Sequence, residues 1–137
     1  MHDGRVVHFE DNQPFVGLIK DSLEVFGDGR HHVVGGAADL AGSLAVLDQI
    51  SSGELCANIV IFDGNLGRGR FGGDDARAIK ERMDALGLAV RAISCGGQYA
   101  AELGIKVDVD LRKGDFSLRK LVEIIDALDE PVARQSR

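Results

Sequence analysis

Short β-type runs alternate with helical periodicity from end to end of the chain, which predicts an α/β domain: a five-stranded parallel sheet, order 2-1-3-4-5, doubly wound with helices on both faces. Three observations carry this. Five strand-helix units follow one another without a repeat or a linker. The run Ile59-Val60-Ile61-Phe62 is wholly apolar, as a parallel strand covered on both faces must be. Val107, Val109 and Leu111 instead alternate with Asp108 and Asp110, which suits an edge strand with one wet side.

The first strand is Val6-Val7-His8-Phe9, running into Glu10 and Asp11. Asn12 and Pro14 start a helix, and Phe15, Leu18, Ile19, Leu23 and Phe26 fall on one apolar stripe. A short second strand around His32 to Val34 precedes a helix marked by Leu40, Leu44, Leu47 and Ile50 and stopped by Ser51, Ser52 and Gly53. The third strand, Ile59 to Phe62, ends in Asp63. A glycine-rich loop from Gly64 to Gly73 leads into a helix whose inner face is Ala76, Ile79, Met83 and Leu86, closed by Gly87. Strand four is Ala89 to Ile93, ending at Ser94, and a short fourth helix covers Gln98 to Leu103, with Gly96 and Gly97 before it expected to be mobile. After the fifth strand, Ser117 is the expected N-cap of a last helix that faces the core with Leu118, Leu121, Val122, Ile125 and Leu128.

Composition narrows the function classes. At 137 residues the chain has room for one core and not two, so residues 1–128 are expected to form the domain and 129–137 a polar, fraying tail. A net charge of −6 argues against nucleic acid, whose binders cluster Lys and Arg on one face. Nothing approaches the run of about 18 apolar residues that a membrane span needs, so a cytoplasmic location is expected and no membrane partner. Cys56 and Cys95 lack metal-ligand spacing and are expected to be reduced thiols, with Cys56 a core residue. His31 and His32 stand at a strand start, where exposed polar residues are expected.

In the 2-1-3-4-5 order the first and third strands are neighbours at the topological switch point, so Glu10, Asp11 and Asp63 meet at one sheet edge. Three acids in one place repel one another unless a cation sits among them. A hard divalent metal with oxygen ligands answers that, and Lys113 arrives from the fifth strand.

One competing motif lies in the loop. Gly67-Arg68-Gly69-Arg70-Phe71-Gly72 matches the glycine fingerprint of dinucleotide-binding domains. Its context fails, because the first glycine comes four residues beyond Asp63 and no acid closes the next strand. Arg68 and Arg70 beside a phosphate site account for the same letters.

With strands ending FEDNQP, IVIFDGN, AISCGG and DLRKGD, the chain resembles the receiver domain of two-component response regulators, single-domain chemotaxis-type proteins of flavodoxin-like fold, over residues 5–128. The resemblance implies a phosphoprotein of phosphorelay signal transduction and no classical enzyme, although a receiver catalyses its own phosphorylation and dephosphorylation. It implies Asp63 as phosphoacceptor, Glu10 and Asp11 as the magnesium-binding pair with Asp11 the preferred direct ligand, and Asn65 lending its backbone carbonyl. Ser94 resembles the hydroxyl residue that turns toward the phosphoryl group, and Lys113 the lysine that pairs with it. The implied partners are a sensor histidine kinase or histidine phosphotransfer protein as donor and a protein target downstream.

Three departures lie on the side that passes the signal on. Asp110 stands where receivers usually carry a reporting aromatic. Gly67 and Gly114 replace prolines. The stretch from Ser94 to Lys113 is short. They motivate an alternative, a receiver-like interaction domain that works without phosphorylation.

Overall fold

The computed structural model describes residues 3–67 and 72–132. The elements in chain order are β1 (Gly4–Phe9), α1 (Gln13–Phe26), β2 (His31–Ala37), α2 (Leu40–Ser52), β3 (Ile59–Phe62), α3 (Asp74–Leu86), β4 (Arg91–Gly96), a 3₁₀ turn (Ala100–Leu103), β5 (Val109–Arg112) and α4 (Leu118–Ala127). The five strands are all parallel in the order β2-β1-β3-β4-β5. This is the predicted doubly wound sheet.

Alternation along each strand divides the core into two layers. Val6, Ile59, Ile61 and Ile93 face Ile19 and Leu23 of α1 and Leu121 and Ile125 of α4. Val7, Phe9, Val60 and Phe62 face Leu47 of α2 and Ile79 and Met83 of α3. All four residues of β3 are buried, and each such side chain contributes about 1.5–3 kcal/mol, so the strand leading to Asp63 is firmly anchored.

Local signals set the helix starts. The Asn12 side chain accepts the Phe15 N–H at 3.1 Å, with a proline in the first turn. The Ser117 hydroxyl accepts the Lys120 N–H at 3.1 Å, so α4 begins where expected.

Several expectations are corrected. Cys56 is exposed, because β3 begins only at Ile59 and Cys56 lies in the connection before it. His31 is fully buried instead of exposed, drawn in by α4: its Nε2 stands 2.6 Å from Asp126 Oδ1. Strand β4 begins at Arg91 and continues through Cys95 and Gly96, so Gly96 is a buried strand residue. The fourth helix shrinks to the 3₁₀ turn Ala100–Leu103, too few residues separating β4 from β5 for a longer one. On α1, Leu18 and Phe26 are 52% and 38% exposed while Ile19 and Leu23 are fully buried, so the inward stripe is narrower than its spacing implied. The fingerprint residues Arg68 to Phe71, and the tail from residue 133, lie outside the described residues. Among the described residues no helix is long and apolar enough to cross a membrane.

Candidate functional site

The sheet ladder runs on past the strand ends and fixes the acids. Phe9 pairs with Phe62 in the parallel register, and the Asp63 N–H then donates to the Phe9 carbonyl at 3.1 Å. The Glu10 N–H donates to Ala37 at 3.0 Å, and the Lys113 N–H to Gly96 at 2.8 Å. These residues are therefore held by backbone from neighbouring strands, on the carboxyl edge where open α/β sheets keep their ligands.

Their side chains converge. One carboxylate oxygen from each of Glu10, Asp11 and Asp63 lies within 4.8 Å of the others. Lys113 Nζ stands 2.6 Å from Glu10 Oε1 and 3.1 Å from Asp63 Oδ2. Glu10 and Asp63 are 1% and 8% exposed, whereas Asp11 is open to solvent. Asp11 also accepts the Gly67 N–H at 3.1 Å, tying the loop after β3 to the acid cluster.

Burial raises the Glu10 carboxyl to about 7; the Lys113 ammonium opposes that, and the Asp63 charge adds to it. Burial works against the Lys113 charge, but Glu10 and Asp63 outweigh it and raise its pKa. The lysine therefore remains an ammonium, and Glu10 holds its proton more readily than an ordinary carboxyl. Carboxylate oxygens are hard donors, and three of them around one ammonium leave a surplus that fits a hard divalent cation.

The other expected residues take different places. Ser94 is buried and sits opposite Phe62 in the β3–β4 register, one step from Asp63. The side chain of Asn65 turns to the loop, its Oδ1 accepting the Gly73 N–H at 3.0 Å, which leaves only its backbone carbonyl for the role expected of it. Burial pushes the Cys95 thiol up to about 12, so it packs as an unreactive apolar group.

Four residues of the site's surroundings were not singled out from sequence for these roles. A Cβ on Gly96 would stand 2.5 Å from Asp63 Oδ1 and 3.0 Å from the Gly64 nitrogen, so any side chain there displaces the carboxylate. Asp75, fully buried in the first turn of α3, accepts the Leu66 N–H at 2.7 Å and shapes the loop. The Phe15 ring lies under the ammonium, with Lys113 Nζ 4.8 Å from its centroid. Asp110 accepts the Ala100 and Ala101 N–H groups at 2.7 and 3.0 Å. Asp75 carries a local signal, an acid just inside a helix start; the parts played by the others depend on which elements become neighbours.

No protein-family model matches the chain, and no curated protein matches it by sequence. Solved structures do match in fold. The RcsB response regulator of Salmonella typhimurium, from a study of conformational dynamism for DNA interaction, superposes with a TM-score of 0.70 at 19% identity over 93% of this chain and 61% of that one. The signal receiver domain of the putative response regulator NarL from Mycobacterium tuberculosis gives 0.68 at 17% identity, covering 91% and 94% of the two chains. The isolated receiver domain of RcsB from Salmonella enterica serovar Typhimurium, in the presence of the phosphomimetic BeF3−, gives 0.66 at 17% identity over 91% and 87%. The chain thus spans about three fifths of that longer RcsB structure and nearly all of the NarL receiver. Its fold is that of response-regulator receiver domains.

Proposed function

We propose that this chain is a receiver of phosphorelay signalling that accepts a phosphoryl group on Asp63 from a phosphohistidine of a sensor kinase or phosphotransfer protein. The observation that carries this reading is the convergence of three carboxylate oxygens within 4.8 Å, with the Lys113 ammonium 3.1 Å from Asp63.

In the transfer an Asp63 oxygen forms the new P–O bond as the P–N bond to the donor imidazole breaks, and the bonding pair returns to that ring. Such a reaction needs positioning and charge neutralisation more than covalent chemistry. Buried ladder hydrogen bonds supply the positioning of Asp63. Lys113 faces the charge that develops on the phosphoryl oxygens, and the Ser94 hydroxyl donates to one of them. Glu10, Asp11, Asp63 and the Asn65 carbonyl would hold Mg²⁺, which supplies further charge neutralisation when bound.

The surplus of acid in the sequence favours a protein target over nucleic acid as the recipient of the signal, and a cytoplasmic location accompanies a kinase donor. A second reading, an interaction domain that works without phosphate, is favoured by one observation: Asp110 ties down the turn after β4 with two hydrogen bonds.

Incubation with a small phosphodonor and Mg²⁺, followed by intact mass measurement, separates the two. The first reading expects the gain of one phosphoryl group in the wild type and none in Asp63→Asn. No gain in the wild type, even with a cognate kinase, overturns the first.

A further inference from the structure

Among the described residues the Lys113 ammonium meets Glu10 Oε1 at 2.6 Å, Asp63 Oδ2 at 3.1 Å and the face of Phe15, whose centroid is 4.8 Å away. Phe15 belongs to the first turn of α1, and its own N–H is held by the Asn12 cap. Its ring meets the His8 imidazole edge-on, with centroids 5.9 Å apart and planes at 61°. His8 is 2% exposed, and neither ring nitrogen has a hydrogen-bond partner. Beside it, between α1 and β2, lies a cavity of about 280 Å³ lined by Val16, Val33, Gly35 and Ala37 among others. Among the described residues no hydrogen bond holds the His8 ring, although its backbone is fixed between β2 and β3, and there is room for the α1 side to repack.

The far side of the site is built differently. Asp110 pairs in register with Ser94, and its carboxylate takes both Ala100 and Ala101 N–H groups. Glu102 accepts the Tyr99 N–H at 3.1 Å, the Tyr99 hydroxyl donates to Asp115 at 3.0 Å, and Arg112 lies over the Tyr99 ring while pairing with Asp115 at 2.9 Å. The two bonds to Asp110 are charge-assisted, and the one to Ala100 is partly buried; the Tyr99, Arg112 and Asp115 contacts lie at the surface and add little.

A phosphoryl group on Asp63 adds anionic oxygens beyond the carboxylate and draws the ammonium toward them. The attraction between an ammonium and a ring holds only near the ring's face, so Phe15 must follow the lysine or lose it.

We infer that Phe15 is a positioning residue for Lys113 and the route by which occupancy of Asp63 is reported, shifting the first turn of α1 and His8 while the 3₁₀ turn stays fixed by Asp110. This rests on the phosphoacceptor reading of Asp63 and adds the direction in which its signal leaves.

The test is amide NMR of the full chain with Mg²⁺, before and after beryllofluoride, with ¹⁹F spectra recording whether the probe is bound. In the wild type the shift changes at His8, Phe15 and Val16 should exceed those at Ala100 and Ala101 by about threefold. Phe15→Met, which keeps volume without a π face, should bind beryllofluoride yet lose the change at His8 and Val16, and Phe15→Tyr should restore it. Should Phe15→Met fail to fold, Phe15→Leu takes its place, and the wild-type pattern already decides the direction. Bound probe with the larger changes at residues 99–104, or a full α1 response in Phe15→Met, overturns the inference alone. No bound probe in the wild type overturns the phosphoacceptor reading and the inference with it.

Discussion

At the N-terminal edge of the sheet, Asp126 lies between the His31 ring, 2.6 Å from Nε2, and the Arg30 guanidinium, which contacts both of its oxygens at 2.9 and 3.1 Å. The Gly4 N–H donates to His31 Nδ1 at 2.9 Å, so the ring carries its proton on Nε2 and gives it to Asp126. A Cβ on Gly4 would stand 2.5 Å from that nitrogen, which reserves the position for glycine. This edge is closed: one acid, one guanidinium, one neutral ring. At the opposite edge three carboxylates share one ammonium. Both edges bring ionisable groups together, but only the second has more acids than cations, and with Glu10 and Asp63 buried such a surplus costs stability unless it serves a ligand.

The contrast breaks or sharpens under substitution. With Asp63 left in place, the largest effect is expected at Asp11→Asn, which keeps an oxygen for the Gly67 N–H and removes one charge. Phosphoryl transfer from a small donor should slow a hundredfold to a thousandfold, roughly what one lost electrostatic contact costs. A change below tenfold in the stopped-flow rate would remove Asp11 from the site.

His8 makes acid stability the next test. Burial, and then the Lys113 charge, lower its pKa from 6.5 to about 4. Between those values the unfolded chain binds the proton and the folded chain does not, so the His8 contribution to stability falls as pH drops through that window, by about 3 kcal/mol at pH 4. Glu10, raised to about 7, acts in the opposite sense over the same window, so the His8 effect is read as a difference. Urea melts at pH 6.5 and pH 4 should show His8→Leu gaining about 3 kcal/mol on the wild type as the pH falls.

At the closed edge, His31→Leu leaves the Gly4 N–H and Asp126 without the ring, and should cost about 2 kcal/mol with phosphoryl transfer unaltered. Parallel urea melts and transfer assays check both halves. The smallest expected effect has the opposite sign: metal-free Asp11→Asn should unfold at the same or a higher urea midpoint than the wild type, because it relieves repulsion. A lowered midpoint there would mean that the two edges are built alike.

Much of the site was legible because strand ends are local. An apolar run that stops at Asp63, and another that stops at Glu10 and Asp11, place their acids at a sheet edge once the strands are parallel. Asn12 read correctly as a helix start and Ser117 as a cap, since the cap bond spans only three residues. Cys56 and His31 read wrongly for one reason: burial depends on what packs over a residue. Nothing beside His31 in the chain announces Asp126, and nothing beside Cys56 announces that its connection stays at the surface.

Asp110 shows the same division. Its departure from the usual aromatic was visible, yet its work, capping the turn at Ala100 and Ala101, follows from the shortness of the connection between β4 and β5. Residue pattern was enough for the number of strands, their parallel order and the acids at their ends, because periodicity and strand termini are short-range properties; it was not enough for the bounds of β4 and of the 3₁₀ turn. Tertiary structure alone decided that Phe15 lies under Lys113, that Gly96 makes room for Asp63, and that one edge is neutralised while the other is not. Those contacts join residues from different strands and helices, and only packing brings them within a few ångströms.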